Sequence, residues 1–172
     1  MLTVPTIDFD RLTIEEISHC LRIQPDPTYD IPPEMLSKNS RQAAVLIPFL
    51  RFSESWHLLY IRRATFEGDR HSGQVAFAGG KRELEDSSLE ITALREAEEE
   101  VGIKHSDVNI LGRLNHHHTI SDFQVTPYIG VTPWPYPLKL DAGEVAHAFT
   151  LPLNWLANSA HYRTEQRTHR DS

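Results

Sequence analysis

The spacing of apolar residues along the chain changes from helical to extended and back, and these changes predict its elements. Near the start, Thr13 and Glu16 have the spacing of a capping box ahead of apolar residues, which predicts a short helix running to about Ile23. A proline-rich stretch over residues 24–40 follows. Because proline lacks an N–H group and has a fixed φ, this stretch is expected to be a linker or an extended arm.

Short apolar runs rich in β-branched and aromatic residues predict a set of strands. Two of them, residues 43–48 and 57–62, are separated by a polar turn and are expected to pair. Three more, residues 108–113, 123–131 and 145–151, occur in the second half of the chain. The catalytic core is therefore expected to begin near residue 41.

A helical pattern over residues 88–101 separates the two groups of strands. Ser87 and Glu90 have capping-box spacing at its start, and Gly102 stands where a helix commonly ends in the left-handed conformation. Its apolar face is formed by residues spaced i, i+3 and i+7, which are Leu94, Ala97 and Val101. This face is expected to lie against a sheet.

Size and charge limit the classes of function. With 172 residues, of which 40% are hydrophobic, the chain fits one globular domain. The formal net charge of −7 argues against binding to long nucleic acid, which needs an excess of lysine and arginine. An anionic substrate must therefore meet local positive charge or a bound cation.

Cysteine use and the lack of long apolar runs indicate a cellular compartment. Cys20 is the only cysteine of the sequence, which excludes an intrachain disulfide and a cysteine zinc cluster. The sequence also shows neither a signal-peptide pattern nor an apolar run long enough to span a membrane. We therefore expect a soluble cytoplasmic protein without a membrane partner.

Three carboxylates share one edge of the 88–101 helix. Glu96, Glu99 and Glu100 are three and four residues apart, whereas Glu98 points elsewhere. Their mutual repulsion would be relieved by a divalent cation, and hard oxygen ligands suit Mg²⁺ or Mn²⁺. The alternative is a solvated acidic face stabilised by Arg95.

Two segments around this helix together resemble the Nudix box. The first is residues 80–86, GKRELED, and the second is residues 95–103, REAEEEVGI. The family pattern is Gly, five residues, Glu, seven residues, then Arg-Glu-apolar-x-Glu-Glu-x-Gly-apolar, and the second half matches at every specified position. In the first half Asp86 replaces the glutamate and one extra residue precedes Arg95. The coenzyme A branch of the family has a similarly lengthened box.

The resemblance implies a fold and a set of roles. The fold would be α/β, a Nudix-type α/β/α sandwich with a mixed sheet. The implied catalytic residues are Glu99, Glu96 and Arg95, with Arg95 orienting the carboxylates. The implied metal ligands are Glu96, Glu99, Glu100, the Gly80 carbonyl and Glu144. Glu144 is equally consistent with a solvated loop carboxylate, and which glutamate acts as the base stays open.

A second segment upstream resembles the signature of coenzyme A pyrophosphatases. It comprises residues 59–64, LYIRRA, and 73–80, GQVAFAGG, in which Ala78 replaces a proline. The implied substrate-binding residues are Arg63, Arg70, Lys81, Arg82, Gly73 and Phe77. For Gly73 and Phe77 the alternative is backbone geometry and core packing, and for Arg63 it is a solvated charge. The substrate would be coenzyme A or a derivative, cleaved to 3′,5′-ADP and 4′-phosphopantetheine or its acyl form.

Two other functions remain open at this point. One is a Nudix hydrolase of another small nucleoside diphosphate derivative, such as ADP-ribose or a dinucleotide. The other is a catalytically silent Nudix domain that binds a nucleotide or a protein. The three clustered glutamates weigh against the silent domain, because binding alone does not require them.

The remaining features concern the histidines, the tryptophans and the chain end. Residues 116–118 are three histidines, expected in an exposed loop near the substrate entrance rather than at a metal site. Trp155 is expected to be a core anchor. The predicted divisions are an N-terminal helix and linker (1–40), the Nudix domain (41–158) and a polar tail (159–172), frayed after about Asn158. A closing helix missing from this tail would expose apolar sheet surface, with a homodimer or lower stability as the expected consequence.

Overall fold

The computed structural model describes residues 8–23, 40–65, 73–119 and 121–163. Its helices are α1 (Ile14–Arg22), α2 (Leu89–Val101) and α3 (Leu153–Ala157). Its strands are β1 (Arg41–Phe52), β2 (Ser55–Arg63), β3 (Val75–Ala76), β4 (Gly79–Lys81), β5 (Asn109–Arg113), β6 (His117–His118), β7 (Phe123–Thr132) and β8 (Val145–Pro152). Short 3₁₀ turns occur at Phe9–Arg11, His105–Asp107 and Ser159–His161.

The strands form one mixed sheet with the order β3-β2-β1-β7-β5. β1 and β7 run parallel from the pair Arg41 and Phe123 to the pair Leu50 and Thr132, whereas the other pairings are antiparallel. β4 pairs with β1, β6 with β7 and β8 with β2. The predicted hairpin of β1 and β2 and the three later strands are confirmed.

Alternating residues of the long strands divide the core between the two faces of the sheet. On one face, Leu46 and Leu50 of β1 lie in a cluster with Ala97 and Val101 of α2. On the other face, a second cluster contains Ile17 of α1 together with strand residues, which are Ile47, Phe49, Leu58 and Ile129. The predicted layering of helices on both sides of a mixed sheet is therefore confirmed.

The N-terminal segment is part of this domain. Trp56 donates from its backbone N–H to Asp10 Oδ1 at 3.1 Å and from its indole to the Leu12 carbonyl at 2.8 Å. Asn154 of α3 donates to Asp10 Oδ2 at 2.6 Å. α1 packs on the face of the sheet opposite α2 through Ile17. The predicted dimerisation stays a prediction. Residues 24–39 of the predicted linker lie outside the described residues.

The two predicted capping boxes have different outcomes. The first is confirmed, because Thr13 Oγ1 accepts from the Glu16 N–H at 3.2 Å and Glu16 Oε2 accepts from the Thr13 N–H at 2.8 Å. The second is wrong, because the cap of α2 is Ser88, whose hydroxyl accepts from the Ile91 N–H. Isoleucine at that third position cannot return the hydrogen bond. The left-handed end at Gly102, with φ of 76°, is confirmed.

The chain continues as ordered structure past Asn158. The Asn158 side chain accepts from the Ala160 N–H at 3.0 Å and caps the turn Ser159–His161. The His161 ring stacks on Trp155 at 4.5 Å between ring centroids. Residues 164–172 of the predicted tail lie outside the described residues. Among the helices described, none has the length and apolar character needed to cross a membrane.

Candidate active site

Strand β4 brings two glycines against the carboxylates of α2. A methyl group added at Gly80 would overlap the Glu96 carboxylate, which shows how closely that side chain lies against the strand. The backbone N–H of Gly79 donates to Glu100 Oε2 at 3.2 Å. The close approach of α2 to β4 therefore depends on residues that have no side chain.

Glu100 is the most deeply buried carboxylate of the site, with 1% of its surface exposed. The pKa of its carboxyl is raised to about 8, mainly by burial and also by the charges of Glu96 and Glu144, while the Gly79 hydrogen bond opposes the increase. Arg63 acts in the opposite direction. The pKa of Glu96 is also raised, mainly by burial, although Arg95 opposes the increase.

Arg95 connects the other two glutamates of the helix. Its guanidinium lies 3.0 Å from Glu96 Oε1 and 2.8 Å from Glu99 Oε2, and it donates to the Lys81 carbonyl at 3.1 Å. Glu98 points away, as predicted, and contacts His105. Arg95 therefore contacts both carboxylates, and its orienting role stays a prediction.

Asp86 holds the Arg95 guanidinium in place. Its carboxylate is 3% exposed and accepts from Arg95 Nε at 3.1 Å, from the Thr92 hydroxyl at 2.9 Å and from the Glu83 N–H at 2.9 Å. The Arg95 hydrogen bond is the largest cause that lowers the pKa of Asp86 to about 2. The same contact raises the pKa of Arg95. Asp86 is thus ionised and fixes the arginine that holds Glu96 and Glu99.

Glu144 reaches the site through the loop that follows β7. The loop is tied to the end of α2 by hydrogen bonds from the Lys139 N–H to the Val101 carbonyl and from the Asp141 N–H to the Glu100 carbonyl, both 3.0 Å long. The Glu144 carbonyl then accepts from the Ala64 N–H at 2.7 Å, next to Arg63. Two predicted residues, Arg63 and Glu144, are thereby brought near Glu100.

The donor set fits a hard divalent cation in its chemistry. It consists of carboxylate oxygens, and Glu100 is buried with a single hydrogen-bond donor, Gly79, among those found. No group of three or more His, Cys, Asp or Glu side chains within the described residues is already gathered closely enough to hold an ion. Arg95 contacts oxygens of both Glu96 and Glu99.

A cavity of about 610 Å³ opens beside Glu96, between the start of β1 and the segment that follows β4. Lys81 and Arg82, both predicted to bind substrate, line it. Arg82 is used by the protein itself: it donates to the Asp86 carbonyl at 3.3 and 3.1 Å and to Gln42 Oε1 at 3.0 Å. Arg82 is therefore placed to hold the loop, whereas Lys81 has an exposed side chain.

The other predicted substrate residues are spread over the sheet. Gly73 has φ of 70°, which accounts for glycine at this turn. Phe77 stacks on Tyr60 at 4.6 Å, beside the core cluster beneath α1, rather than on the side of α2. Arg70 lies outside the described residues.

The histidines and Trp155 differ from their predictions. His117 and His118 form a short strand paired with β7 instead of a loop, because the chain returns antiparallel along the end of that strand. Trp155 is 45% exposed on α3 and is not a core anchor. The buried tryptophan is Trp56, which is held by Asp10 and Leu12.

Three residues of the site were not predicted from the sequence, namely Asp86, Gly79 and Arg41. Asp86 stands where the box has its first glutamate, and this position is the signal that could have identified it. Arg41 lines the cavity because β1 lies beside β4. No local pattern in the sequence predicts that Arg41 lies beside the cavity.

Comparisons with known proteins agree with this geometry. Residues 40–168 match the NUDIX domain family. An uncharacterized Nudix hydrolase, NudL of Photorhabdus laumondii, is 44% identical over 123 residues, which cover 72% of this chain and 65% of NudL. The chain thus spans less than two thirds of the length of the first curated relatives it matches.

Solved structures share the fold at low identity. RenU, a Nudix hydrolase from M. smegmatis, has a TM-score of 0.58 and 19% identity, over 71% of this chain and 80% of RenU. The NUDIX domain of Shewanella oneidensis NrtR, complexed with ADP ribose, has a TM-score of 0.52 and 16% identity, over 74% of this chain and 81% of that domain. With the box residues assembled on β4 and α2 and the family match over most of its length, this chain belongs to the Nudix family.

Proposed function

We propose that this chain hydrolyses the diphosphate bond of coenzyme A or its acyl derivatives, with Mg²⁺ or Mn²⁺ as cofactor. The products would be 3′,5′-ADP and 4′-phosphopantetheine or its acyl form. The observation that carries the reaction is the carboxylate cluster in which Glu100, 1% exposed, accepts from the Gly79 N–H and Glu96 lies against Gly80. Such a cluster is stabilised when a cation joins it. The choice of coenzyme A rests on the resemblance of residues 59–64 and 73–80 to the coenzyme A pyrophosphatase signature.

The residues of the cluster divide into two groups. Glu96, Glu100 and Glu144 would hold the cation, with the Gly80 carbonyl as a further oxygen ligand. A divalent ion in this position supplies charge neutralisation of the diphosphate and a lower pKa for the attacking water. Glu99 is the most exposed glutamate of the three on α2, with 56% of its side chain accessible, and Arg95 orients it. We assign the water-positioning role to Glu99.

We assign the binding of the diphosphate to Arg63. Its Nε atom is buried and has no hydrogen-bond acceptor among the residues described. A buried donor without an acceptor is unfavourable, and a phosphate oxygen would satisfy it. Because Arg63 also acts on the pKa of Glu100, its charge lies close to the proposed metal ligands.

Product analysis with a substrate panel tests the proposal. The chain is incubated with coenzyme A, ADP-ribose and a diadenosine polyphosphate, each with Mg²⁺, with Mn²⁺ or with a chelator, and products are identified by mass. We expect fastest cleavage of coenzyme A, dependent on metal. Faster cleavage of another compound would replace the substrate but keep the reaction. No metal-dependent cleavage of any compound would favour a silent binding domain.

A further inference from the structure

The run of three histidines in the sequence is divided between the two faces of the sheet. His118 is paired with Gln124, and its Nε2 lies 3.5 Å from Gln124 Nε2, whereas His117 is paired with Val125. Because side chains alternate along a strand, His117 points to the opposite face. His117 is exposed, and His116 and His118 are both half-buried. The outer two histidines therefore form a pair that does not include the middle one.

The rings of His116 and His118 have the separation that a shared metal ion requires. Their centroids are 5.3 Å apart, and the ring planes are inclined at 85° to each other. Zinc binds an imidazole nitrogen at about 2.0–2.1 Å with tetrahedral angles, which places the centres of two bound rings roughly 5 Å apart. The spacing of this pair therefore suits two imidazoles on one ion.

The surroundings of His116 favour the neutral imidazole, which is the form that binds a metal ion. Its pKa is lowered first by burial and then by the charges of His118 and Arg113. Protonation of both rings would bring two positive charges into contact close to Arg113. Each neutral ring has one nitrogen lone pair, so the pair supplies two ligands of the same kind.

The histidine pair lies on the same face of the sheet as α2 but away from its carboxylates. Gln124 shares a strand face with Tyr128, which packs in the cluster beneath α2. Gln124 is opposite Gln42 of β1, and β4, with Gly80, pairs with the other edge of β1. Because strands are about 4.8 Å apart, His118 is about 14 Å from β4. One ion therefore cannot bind both the histidines and the carboxylates that contact β4.

We propose that His116 and His118 bind a divalent transition-metal ion of the zinc class, at a site separate from the carboxylate cluster. Imidazole nitrogen suits Zn²⁺, Ni²⁺ and Cu²⁺, whereas carboxylate oxygen suits Mg²⁺ and Mn²⁺. Among the residues that the structure describes, no third histidine, cysteine or carboxylate joins the pair. Two imidazoles thus fill half of a tetrahedral site, and water or a small ligand fills the other half. Gln124, next to His118 Nε2, orients that ring.

Calorimetric titration of the full chain with Zn²⁺, without an affinity tag and in excess Mg²⁺, tests this site. The Mg²⁺ competes with Zn²⁺ for the carboxylate cluster. We expect His116→Gln and His118→Gln each to weaken Zn²⁺ binding by at least about tenfold, because losing a ligand costs no less than losing an outer partner of a ligand. His117→Gln is the matched control, the same substitution within the same run. It should change the Zn²⁺ affinity by less than about twofold.

Nuclear magnetic resonance of the histidine ring nitrogens identifies the ligands in the wild-type protein. Coordination changes the chemical shift of the nitrogen that binds the ion. We expect Zn²⁺ to shift one ring nitrogen of His116 and one of His118 and to leave both nitrogens of His117 in place. This measurement needs no substitution at the site, so it decides the question even if His118→Gln does not fold.

Three results would overturn the proposal. Equal Zn²⁺ affinity in all three variants would place the ion at other ligands. Equal weakening in all three, including His117→Gln, would mean that the histidines bind as an unstructured run rather than as a pair on one face. No Zn²⁺ binding by the wild type would leave only an edge contact between two rings. None of these readouts uses turnover, so they are independent of the proposed function.

Discussion

At the scale of single residues, Asp86 shows how a buried charge sets the geometry of an exposed one. Its carboxylate is held by Arg95, Thr92 and the Glu83 N–H, and Arg95 in turn holds Glu96 and Glu99. The family pattern has a glutamate in this position, and the shorter aspartate still reaches both Nε and Nη2 of Arg95 at 3.1 Å. Asp86 therefore holds the Arg95 guanidinium through two hydrogen bonds.

Asp86→Asn tests this anchor through stability and pH. The pKa of Asp86 falls from its ordinary value of 3.8 to about 2 in the folded protein. A lowered pKa adds stability above pH 3.8 that is lost as the pH falls through 2, here about 2 kcal/mol. We expect Asp86→Asn to lower the free energy of unfolding by about this amount at pH 7.

The loss caused by Asp86→Asn should diminish as the pH falls below 4 towards 2, measured by urea unfolding at several pH values. Glu85→Gln removes an exposed neighbouring carboxylate and serves as the control. A deficit of the same size at every pH would contradict an ionised, hydrogen-bonded Asp86.

Replacing the two glycines of β4 by alanine is expected to have different effects, one on activity and one on stability. A methyl group at Gly80 would meet the end of the flexible Glu96 side chain, whereas one at Gly79 would meet the backbone of Ala44 and Val45. Gly80→Ala should fold and lose activity by displacing Glu96, while Gly79→Ala should lower the melting temperature by separating β4 from β1. Calorimetry and turnover distinguish them. A fully active Gly80→Ala variant would show that Glu96 has no fixed role against this strand.

At the scale of elements, the sequence pattern correctly predicted the helix and strand features that depend only on nearby residues. The α2 face, the Gly102 end and the hairpin of β1 and β2 follow from spacing and from residue type. The capping residue of α2 did not follow from the sequence, because Ser87 and Ser88 are adjacent serines. Only the extended backbone of Ser88 shows which of the two caps the helix. The prediction that Trp155 is a core anchor was wrong for a different reason, because the burial of a residue depends on which distant segments pack on it.

The placement of α1 could not be read from the sequence either. Its apolar face predicts a partner, but nothing local says that this partner is the sheet face opposite α2. Contacts from Asp10 to Trp56 and Asn154 decide the placement, across more than forty residues of chain. Long-range hydrogen bonds of this kind leave no periodic signal.

Ile17→Ala measures how far α1 contributes to the domain. Ile17 is 6% exposed in the core beneath the helix, whereas Ile23 is 63% exposed just after it. We expect Ile17→Ala to lower the free energy of unfolding by about 2–4 kcal/mol. Ile23→Ala should change it by less than about 0.5 kcal/mol. If urea unfolding gives equal values for the two variants, α1 is not part of the folded core.

At the scale of the whole molecule, an acidic chain places four basic residues around one acidic site. The net charge is −7, yet Arg63, Lys81, Arg82 and Arg95 lie close to the proposed metal ligands or the cavity. The box residues, Lys81, Arg82 and Arg95 were predictable because they all lie within residues 80–103, and Arg63 was predicted from the separate segment 59–64. The position of Arg41 beside the cavity was not predictable, because it depends on the register of β1 against β4.

The central claim is that the carboxylate edge of α2 performs metal-dependent hydrolysis of a diphosphate, and one pair of variants tests it most directly. Glu98 and Glu99 are adjacent on the same helix, but Glu99 contacts Arg95 and Glu98 contacts His105. Glu99→Gln and Glu98→Gln therefore remove the same charge from side chains with different partners. The measurement is the turnover number of each variant with coenzyme A and saturating Mg²⁺. The account predicts a loss of about a hundredfold or more for Glu99→Gln and less than about threefold for Glu98→Gln. Equal turnover in the two variants, with both folded, would contradict it.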